Sequence, residues 1–322
     1  MKTATIGYGV IGKLHTKIQS ELGTLVAVCD VDETALEAAP DVKKYTDYVT
    51  MLDREELDAV HICTPHYLHC EMIVEALRRN INVLCEKPMC ISHVEIEKIL
   101  EAEKKSDAIL GICLQNRYNP ANVFVKDYIK DKKTVSGVAH VSWHRDEKYF
   151  GSGAWRGKKA TEGGGVLINQ ALHTLDLMQW FLGMPSEMTA QISTLSLGDV
   201  IETEDTAALI CSGGSDFVFY ATLASAVDAP VEMSLKLESE WLNIRQNGIV
   251  INGEYQKIDR KPVSNDIKEC YGNSHEALIA DFYSCVKNKK HFGIDGNEGA
   301  KVIKLILAAY ESGATLKKVS VK

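Results

Sequence analysis

Along residues 3–113 short apolar runs alternate with amphipathic stretches: strand-like runs at 3–6, 25–29, 59–63, 82–86 and 108–113, and stretches of helical period at 10–22, 67–79 and 93–105. This alternation predicts a parallel sheet with helices on both faces, because each crossover helix must bury its apolar stripe against the strands. In the first helix Ile11, Leu14, Ile18 and Leu22 fall on one stripe. Ser92 followed by Glu95 makes a capping box at the start of another.

After about residue 118 the pattern changes. Pro120 marks the break and a helix is predicted over 121–131, followed by alternating stretches at 137–147, 189–197, 205–212, 216–223 and 231–237 that Gly-Gly and Asp/Gly clusters interrupt. Such spacing predicts a mostly antiparallel sheet. One long apolar helix is predicted over 166–182, stopped by Gly183 and Pro185, and helical patterns at 274–287 and 297–312 close the chain. The expected class is α/β: a doubly wound parallel-sheet domain over 1–118, then an α+β domain over 119–322.

The composition suits that division, since 322 residues with 45% hydrophobic and 25% charged residues can fill two cores. The net charge is −8, and residues 1–118 hold 13 Lys and Arg against 19 Asp and Glu. That balance disfavours nucleic acid as the main partner. No apolar run is long enough to span a bilayer, and the first residues enter a strand pattern with no signal region, so a membrane partner is not expected. Nine cysteines without a CxxC pair lie mostly in apolar runs, which predicts free core thiols, a reducing, cytoplasmic setting and no metal site.

The chemistry begins at Gly7-Tyr8-Gly9-Val10-Ile11-Gly12, between the first strand and the first helix. In that context the three glycines allow a tight turn, close approach of a pyrophosphate and close helix–strand packing, and the helix N-terminus faces the anion. Asp30 ends the second strand, where a carboxylate binds ribose hydroxyls and repels a 2′-phosphate; NAD is therefore expected over NADP, with Asp32 as a competitor for the role. Thr64-Pro65 and Glu86-Lys87-Pro88 end two further strands, and in an open parallel sheet ligands bind at that rim. Lys87 is placed to stabilise a developing alkoxide. On the predicted helix 166–182, Asn169, His173 and Asp176 would share one face of an otherwise apolar surface. Of these His173 has the side chain suited to proton exchange near neutrality.

These residues resemble one family across nearly the whole chain. The segments 3–12, 58–65, His69, 85–88, 163–176 and 308–313 are similar to the glucose-fructose oxidoreductase / inositol dehydrogenase / rhizopine catabolism (Gfo/Idh/MocA) oxidoreductases. The resemblance implies a Rossmann domain followed by an open-faced sheet that builds homodimers or homotetramers. It also implies NAD-linked oxidation of a sugar, cyclitol or related polyol, with Lys87 and His173 as the catalytic pair and Asp176 as a supporting motif residue. Many such sequences carry aspartate where this chain has Asn169. His69, Glu86 and Gln115 are implied at the cofactor. Arg117, Trp155 and Arg156 are implied at the substrate and Asn116 at the nicotinamide or substrate, with Tyr271 and His275 as weaker candidates. A dinucleotide-binding sensor of the same fold and a reductase acting on an imine or unsaturated ring are the competing expectations.

Overall fold

The computed structural model describes residues 1–245, 248–259 and 274–321. The candidate Tyr271 lies outside the described residues. By internal contacts the chain forms two units: Met1–Leu114 with His275–Ala300, and Gln115–Ser274 with Lys301–Lys322.

The first unit holds strands β1 Thr3–Ile6, β2 Leu25–Cys29, β3 Lys43–Tyr45, β4 Ala59–Ile62, β5 Asn82–Glu86 and β6 Leu110–Cys113, interleaved with helices α1 Val10–Glu21, α2 Glu33–Glu37, α3 Tyr48–Arg54, α4 His69–Arg78 and α5 His93–Lys104. All its strand pairs are parallel, in the order β3-β2-β1-β4-β5-β6. That is the order of a dinucleotide-binding sheet, with its reversal between β1 and β4. β1, β4 and β6 are buried on both faces, as strands covered by helices on either side should be. The capping box forms: Glu95 N–H donates to Ser92 Oγ at 3.3 Å, and the Glu95 carboxylate accepts from Ile91 N–H at 2.9 Å.

The second unit contains α6 Pro120–Tyr128, β7 Thr134–Ser142, α7 Glu147–Gly151, α8 Leu172–Leu182, β8 Glu187–Ser193, β9 Thr206–Ser212, β10 Asp216–Thr222, β11 Glu232–Leu237, β12 Trp241–Arg245, β13 Gly248–Ile251 and β14 Glu254–Lys257. Of the closing elements, β15 Val319–Ser320 belongs here, α9 Ser274–Asn288 belongs to the first unit from its second residue on, and the residues of α10 Gly296–Thr315 divide between the two units. The nine-stranded sheet runs β14-β13-β12-β11-β7-β10-β9-β8-β15, antiparallel except for the parallel pair β7/β10. Helix α8 covers one face: a Cβ at Gly137 of β7 would sit 2.6 Å from Met178 Cε, so glycine is what allows that approach. On the other face Val138, Val218 and Ile210 align in register across β7, β10 and β9, and all three are exposed.

Two expectations change. The segment 275–300, expected in the second domain, packs in the first. Phe282 and Phe292 press on Gly111 of β6, where a Cβ would stand 2.9 and 3.0 Å from their rings, and Ile112 N–H donates to Ile294 O at 2.9 Å. The predicted helix 166–182 begins only at Leu172. Val166 N–H donates to Glu204 O at 3.0 Å, Gly165 and Leu167 N–H donate to the Glu204 carboxylate at 2.9 and 3.0 Å, and Ala171 N–H reaches back five residues to Val166 O at 2.8 Å, which interrupts the four-residue ladder before Leu172. Asn169 thus lies in the turn segment before the helix, while His173 and Asp176 share the helix itself.

Candidate functional site

In the first unit the glycine turn has the form that a diphosphate requires. Gly7 has φ +90°, and a Cβ there would fall 2.6 Å from Cys63 O; a Cβ at Gly12 would fall 1.9 Å from Gly7 O. Gly9 meets nothing of the protein within 4 Å and caps α1 without a side-chain hydrogen bond. Its neighbour Val10 is 92% exposed, Ile11 follows in the first turn, and no acidic residue stands there to compete for an anion. The free N–H groups of that turn and the helix dipole therefore fit a diphosphate. Asp30 is fixed by Tyr8 N–H at 2.6 Å and Asp32 N–H at 2.9 Å. Asp32 itself caps α2 through Thr34 N–H, which separates the two aspartates' duties.

The two turns after β4 and β5 are tied together. His69 is fully buried and places Nδ1 2.7 Å from Pro88 O and Nε2 2.8 Å from Thr64 O, so both ring nitrogens face carbonyls of the rim. Thr64 Oγ1 turns to Met72 Sδ at 3.4 Å, and Pro65 caps a short 3-10 turn. Glu86 Oε2 accepts from Lys87 N–H at 3.1 Å, while Oε1 lies 3.0 Å from His15 Nε2 and 3.5 Å from His275 Nε2. Burial opposes the charge on Glu86, but the hydrogen bonds from His15 and His275 overcome it and hold the carboxyl well below its ordinary range. His69 and Glu86, expected at the cofactor, are in place as buried supports of the strand ends, because their polar atoms are engaged within the protein. The Lys87–Pro88 bond is cis.

Behind this rim lies a cluster that no sequence spacing announced. His15, Glu86, Cys113 and His275 bring four donor atoms within 4.8 Å of one another, all buried. His15 Nδ1 continues to His61 Nδ1 at 2.8 Å, and His61 Nε2 to the Tyr283 hydroxyl at 3.0 Å. Glu86 Oε1 occupies the midst of the donors, so the cluster is knitted as a hydrogen-bonded hub. Burial lowers the basicity of His61 and His275 and raises Cys113 well above the ordinary thiol range.

In the second unit the residues after 115 form a pocket. Asn116, Asn119, Trp143, Gln170, His173 and Arg245 are among its lining. His173 is 8% exposed, and Gln115 Nε2 lies 3.2 Å from its Nε2. Gln170 Nε2 donates to the Tyr149 hydroxyl at 3.0 Å. With the two glutamine nitrogens so directed, the buried oxygens Gln115 Oε1, Asn116 Oδ1 and Gln170 Oε1 have no hydrogen-bond partner in the protein. Buried acceptors in that state are ordinarily met by an ordered water or a ligand group.

The surrounding residues hold this segment in place. A Cβ at Gly164 would fall 1.8 Å from Tyr310 Oη and one at Gly165 1.9 Å from Glu204 O, which accounts for the glycine run. Arg117, expected at the substrate, is buried in a two-pronged pair with Asp176, at 2.9 Å from Nε and 2.7 Å from Nη2, where the 3-10 turn at Gln115–Tyr118 meets α8. Arg156 stands over the rings of Trp155 and Tyr149, 4.6 Å from each centroid, and donates to the Tyr149 hydroxyl at 2.7 Å. Asn169 donates to Glu162 and lies 3.4 Å from the Tyr149 hydroxyl. Tyr149, Glu162 and Glu204 carry no motif that sequence reasoning could have isolated.

Glu204 makes stability depend on pH. Burial pushes its carboxyl up to about 7, against the pull of the Leu167 and Gly165 N–H groups and the Tyr310 hydroxyl. The folded chain thus keeps a proton that the unfolded chain releases near 4.5. The corresponding stabilisation is complete below pH 4.5 and is lost as pH rises to about 7, amounting to about 3 kcal/mol. Thermal unfolding of Glu204→Gln is expected to lack the decline between pH 5 and pH 8 that the parent chain shows; a parallel decline in the variant would reject this origin.

Comparison with known proteins identifies the family of both domains. A family model described as the oxidoreductase family with NAD-binding Rossmann fold matches residues 1–113, and the GFO/IDH/MocA C-terminal domain matches residues 133–252. The 2,7-anhydro-N-acetylneuraminate hydratase of Mediterraneibacter gnavus is 28% identical over 58% of this chain and 52% of its own length. Levoglucosan dehydrogenase of Pseudarthrobacter phenanthrenivorans is 24% identical over 60% and 54% respectively, so the chain spans about half the length of these curated relatives. Among solved structures, the WlbA dehydrogenase of Bordetella pertussis in complex with NADH and UDP-GlcNAcA superimposes with a TM-score of 0.86 at 25% identity, over 100% of this chain and 98% of that one. With both domains matched, the chain belongs to the Gfo/Idh/MocA oxidoreductase family, whose first domain is an NAD-binding Rossmann fold.

Proposed function

We propose that the protein is an NAD-dependent dehydrogenase that acts on a hydroxyl-bearing carbon of a sugar, cyclitol or related polyol. The observation that carries the substrate class is the pocket that the amide side chains Asn116, Asn119, Asn122 and Gln170 line together with His173. Several hydroxyl donors on one small molecule satisfy such a set, whereas an apolar ligand would leave it unsatisfied at about 1–3 kcal/mol per group. NAD, when bound, supplies the hydride acceptor. Gly7, Gly9 and Gly12 with the first turn of α1 would hold its diphosphate, and Asp30 its ribose. His173 takes the proton of the substrate hydroxyl, Lys87 stabilises the oxygen as negative charge grows on it, and Asn169 with Trp155 and Arg156 positions the ring.

The exposed row Val138, Val218 and Ile210 supports assembly of homodimers or homotetramers through the open face of the nine-stranded sheet. Eight free cysteines among the described residues, seven of them buried, fit a reducing, cytoplasmic compartment. No described helix is long and apolar enough to cross a membrane. The function is tested by following NAD reduction with a panel of aldoses, uronates and inositols. Turnover of at least one neutral polyol is expected; NADH binding with no turnover across the panel would favour a dinucleotide-binding sensor instead.

A further inference from the structure

The buried cluster behind the nucleotide-binding rim is a chain of rings as well as a hub. Tyr283 of α9 places its hydroxyl 3.0 Å from His61 Nε2 of β4, His61 Nδ1 lies 2.8 Å from His15 Nδ1 of α1, and His15 Nε2 lies 3.0 Å from Glu86 Oε1 at the end of β5. Both histidines are fully buried. Each link needs one proton, and each ring nitrogen of a neutral imidazole either donates or accepts, so fixing one link fixes the others. Glu86 is an ionised carboxylate: Oε2 accepts from Lys87 N–H at 3.1 Å, and Oε1 must accept from His15 Nε2–H. A cation on His15 would set a second charge, stripped of water, beside a His61 ring whose own protonation burial opposes. His15 is therefore the neutral ring with its proton on Nε2, and its Nδ1 offers only a lone pair. His61 must then donate from Nδ1, and its Nε2 accepts the Tyr283 hydroxyl proton. Thr3 Oγ1, 3.4 Å from the same hydroxyl, is the weaker contact.

We propose that Tyr283, His61 and His15 form a one-way hydrogen-bond chain, with every proton pointing toward Glu86, and that His15 and His61 are positioning residues for Lys87, whose backbone N–H Glu86 holds. His61 carries its proton on Nδ1, the less favoured site for a free imidazole in water, whereas His15 carries it on Nε2. Neutral dipoles aligned head to tail polarise one another, so the carboxylate meets a strengthened donor in place of a second buried charge. His275 and Cys113 also face Glu86 and share that task. The chain joins the helix that would hold the diphosphate, the strand β4 and a helix from the far end of the polypeptide to the turn that carries Lys87. This inference rests on the dehydrogenase reading above, in which Lys87 stabilises the substrate oxygen.

The direction of the chain is read from the full-length protein labelled with heavy nitrogen at histidine, whose two-bond proton–nitrogen correlation spectrum near neutral pH separates Nδ1–H from Nε2–H rings. His61 is expected as the Nδ1–H ring and His15 as the Nε2–H ring. Their signals are identified by loss in His61→Asn and His15→Gln or, where a variant does not fold, by the nitrogen–nitrogen coupling that an Nδ1–H···Nδ1 bond transmits. An Nε2–H ring at His61, or a doubly protonated His15, would overturn the chain. Its effect on Lys87 is read from two substitutions: His15→Gln keeps a donor near the place of Nε2, and His15→Leu has none. His15→Leu should let the Lys87 amide exchange with solvent about tenfold faster or more, and should lower kcat for polyol oxidation about tenfold with KM for the polyol within about threefold of the parent chain. His15→Gln should bring both back to within about threefold. Parent-like exchange and kcat in His15→Leu, or equal losses in the two variants, would overturn the positioning role. If His15→Leu does not fold, the same comparison is made between His61→Phe and His61→Asn, which keeps a donor near the place of Nδ1. Should the parent chain turn over no polyol, the dehydrogenase reading fails, while the ring protons and the Lys87 exchange rate still decide the inference.

Discussion

Lys87→Ala is expected to lower kcat for polyol oxidation by about 10²- to 10³-fold while leaving NADH binding in place, because an oriented cation acts chiefly where charge develops in the transition state. The root of the side chain is held from two sides. Glu86 accepts the Lys87 N–H at 3.1 Å, and His69 fixes the Pro88 carbonyl at 2.7 Å. The ammonium is thereby launched from a fixed strand end and not from a mobile turn. Lys87→Arg keeps the charge but replaces a compact ammonium with a planar fork, so it should recover only part of the rate. Steady-state kinetics, paired with NADH titration followed by fluorescence, separate loss of chemistry from loss of cofactor. A kcat within about threefold of the parent chain for Lys87→Ala would remove this lysine from the mechanism.

Arg117→Ala should have the largest effect on stability. Arg117 and Asp176 are 4% and 1% exposed at their side chains, and the guanidinium spans both carboxylate oxygens. Removing the arginine leaves a buried carboxylate that still accepts from Gln179 Nε2 at 2.9 Å but has lost its countercharge, a cost of about 3–5 kcal/mol and a fall of roughly 10 °C in Tm. The paired replacement Arg117→Met with Asp176→Leu removes both charges at similar volume, and should restore most of that loss. Calorimetry of the single and double variants decides between this account and a simple loss of packing under Trp180, whose ring lies 5.4 Å from the guanidinium. If the double variant is as unstable as the single one, packing and not charge is the cause.

Much of the nucleotide half was legible because its signals are local. Gly7, Gly9 and Gly12 announce a backbone shape, and Asp30 stands a fixed distance along the same β-α-β path; periodicity placed the first helix to within a residue. In the second half the signals are local only in part. The apolar run 166–182 suggested one helix, yet the segment before Leu172 is tied to Glu204 and its ladder breaks where Ala171 reaches back to Val166, and no neighbour in the chain foretells a carboxylate nearly forty residues away. The same blindness hid Glu162, whose importance comes from what it touches. Arg117 is a related case, since its buried partner Asp176 lies fifty-nine residues along the chain. The strands β12 to β14 and the short helices α2, α3 and α7 carry too few residues for a period to emerge.

The return of residues 275–300 to the nucleotide-binding unit governs how the chain can be made. Tyr283, Phe282 and Phe292 complete surfaces that begin with Thr3, His61 and Gly111, so the N-terminal third leaves the ribosome without its own cover. Completion of the cofactor-binding half must wait for residues 275–300, and a gene fragment cut after the sixth strand would yield an adhesive intermediate in place of an autonomous module.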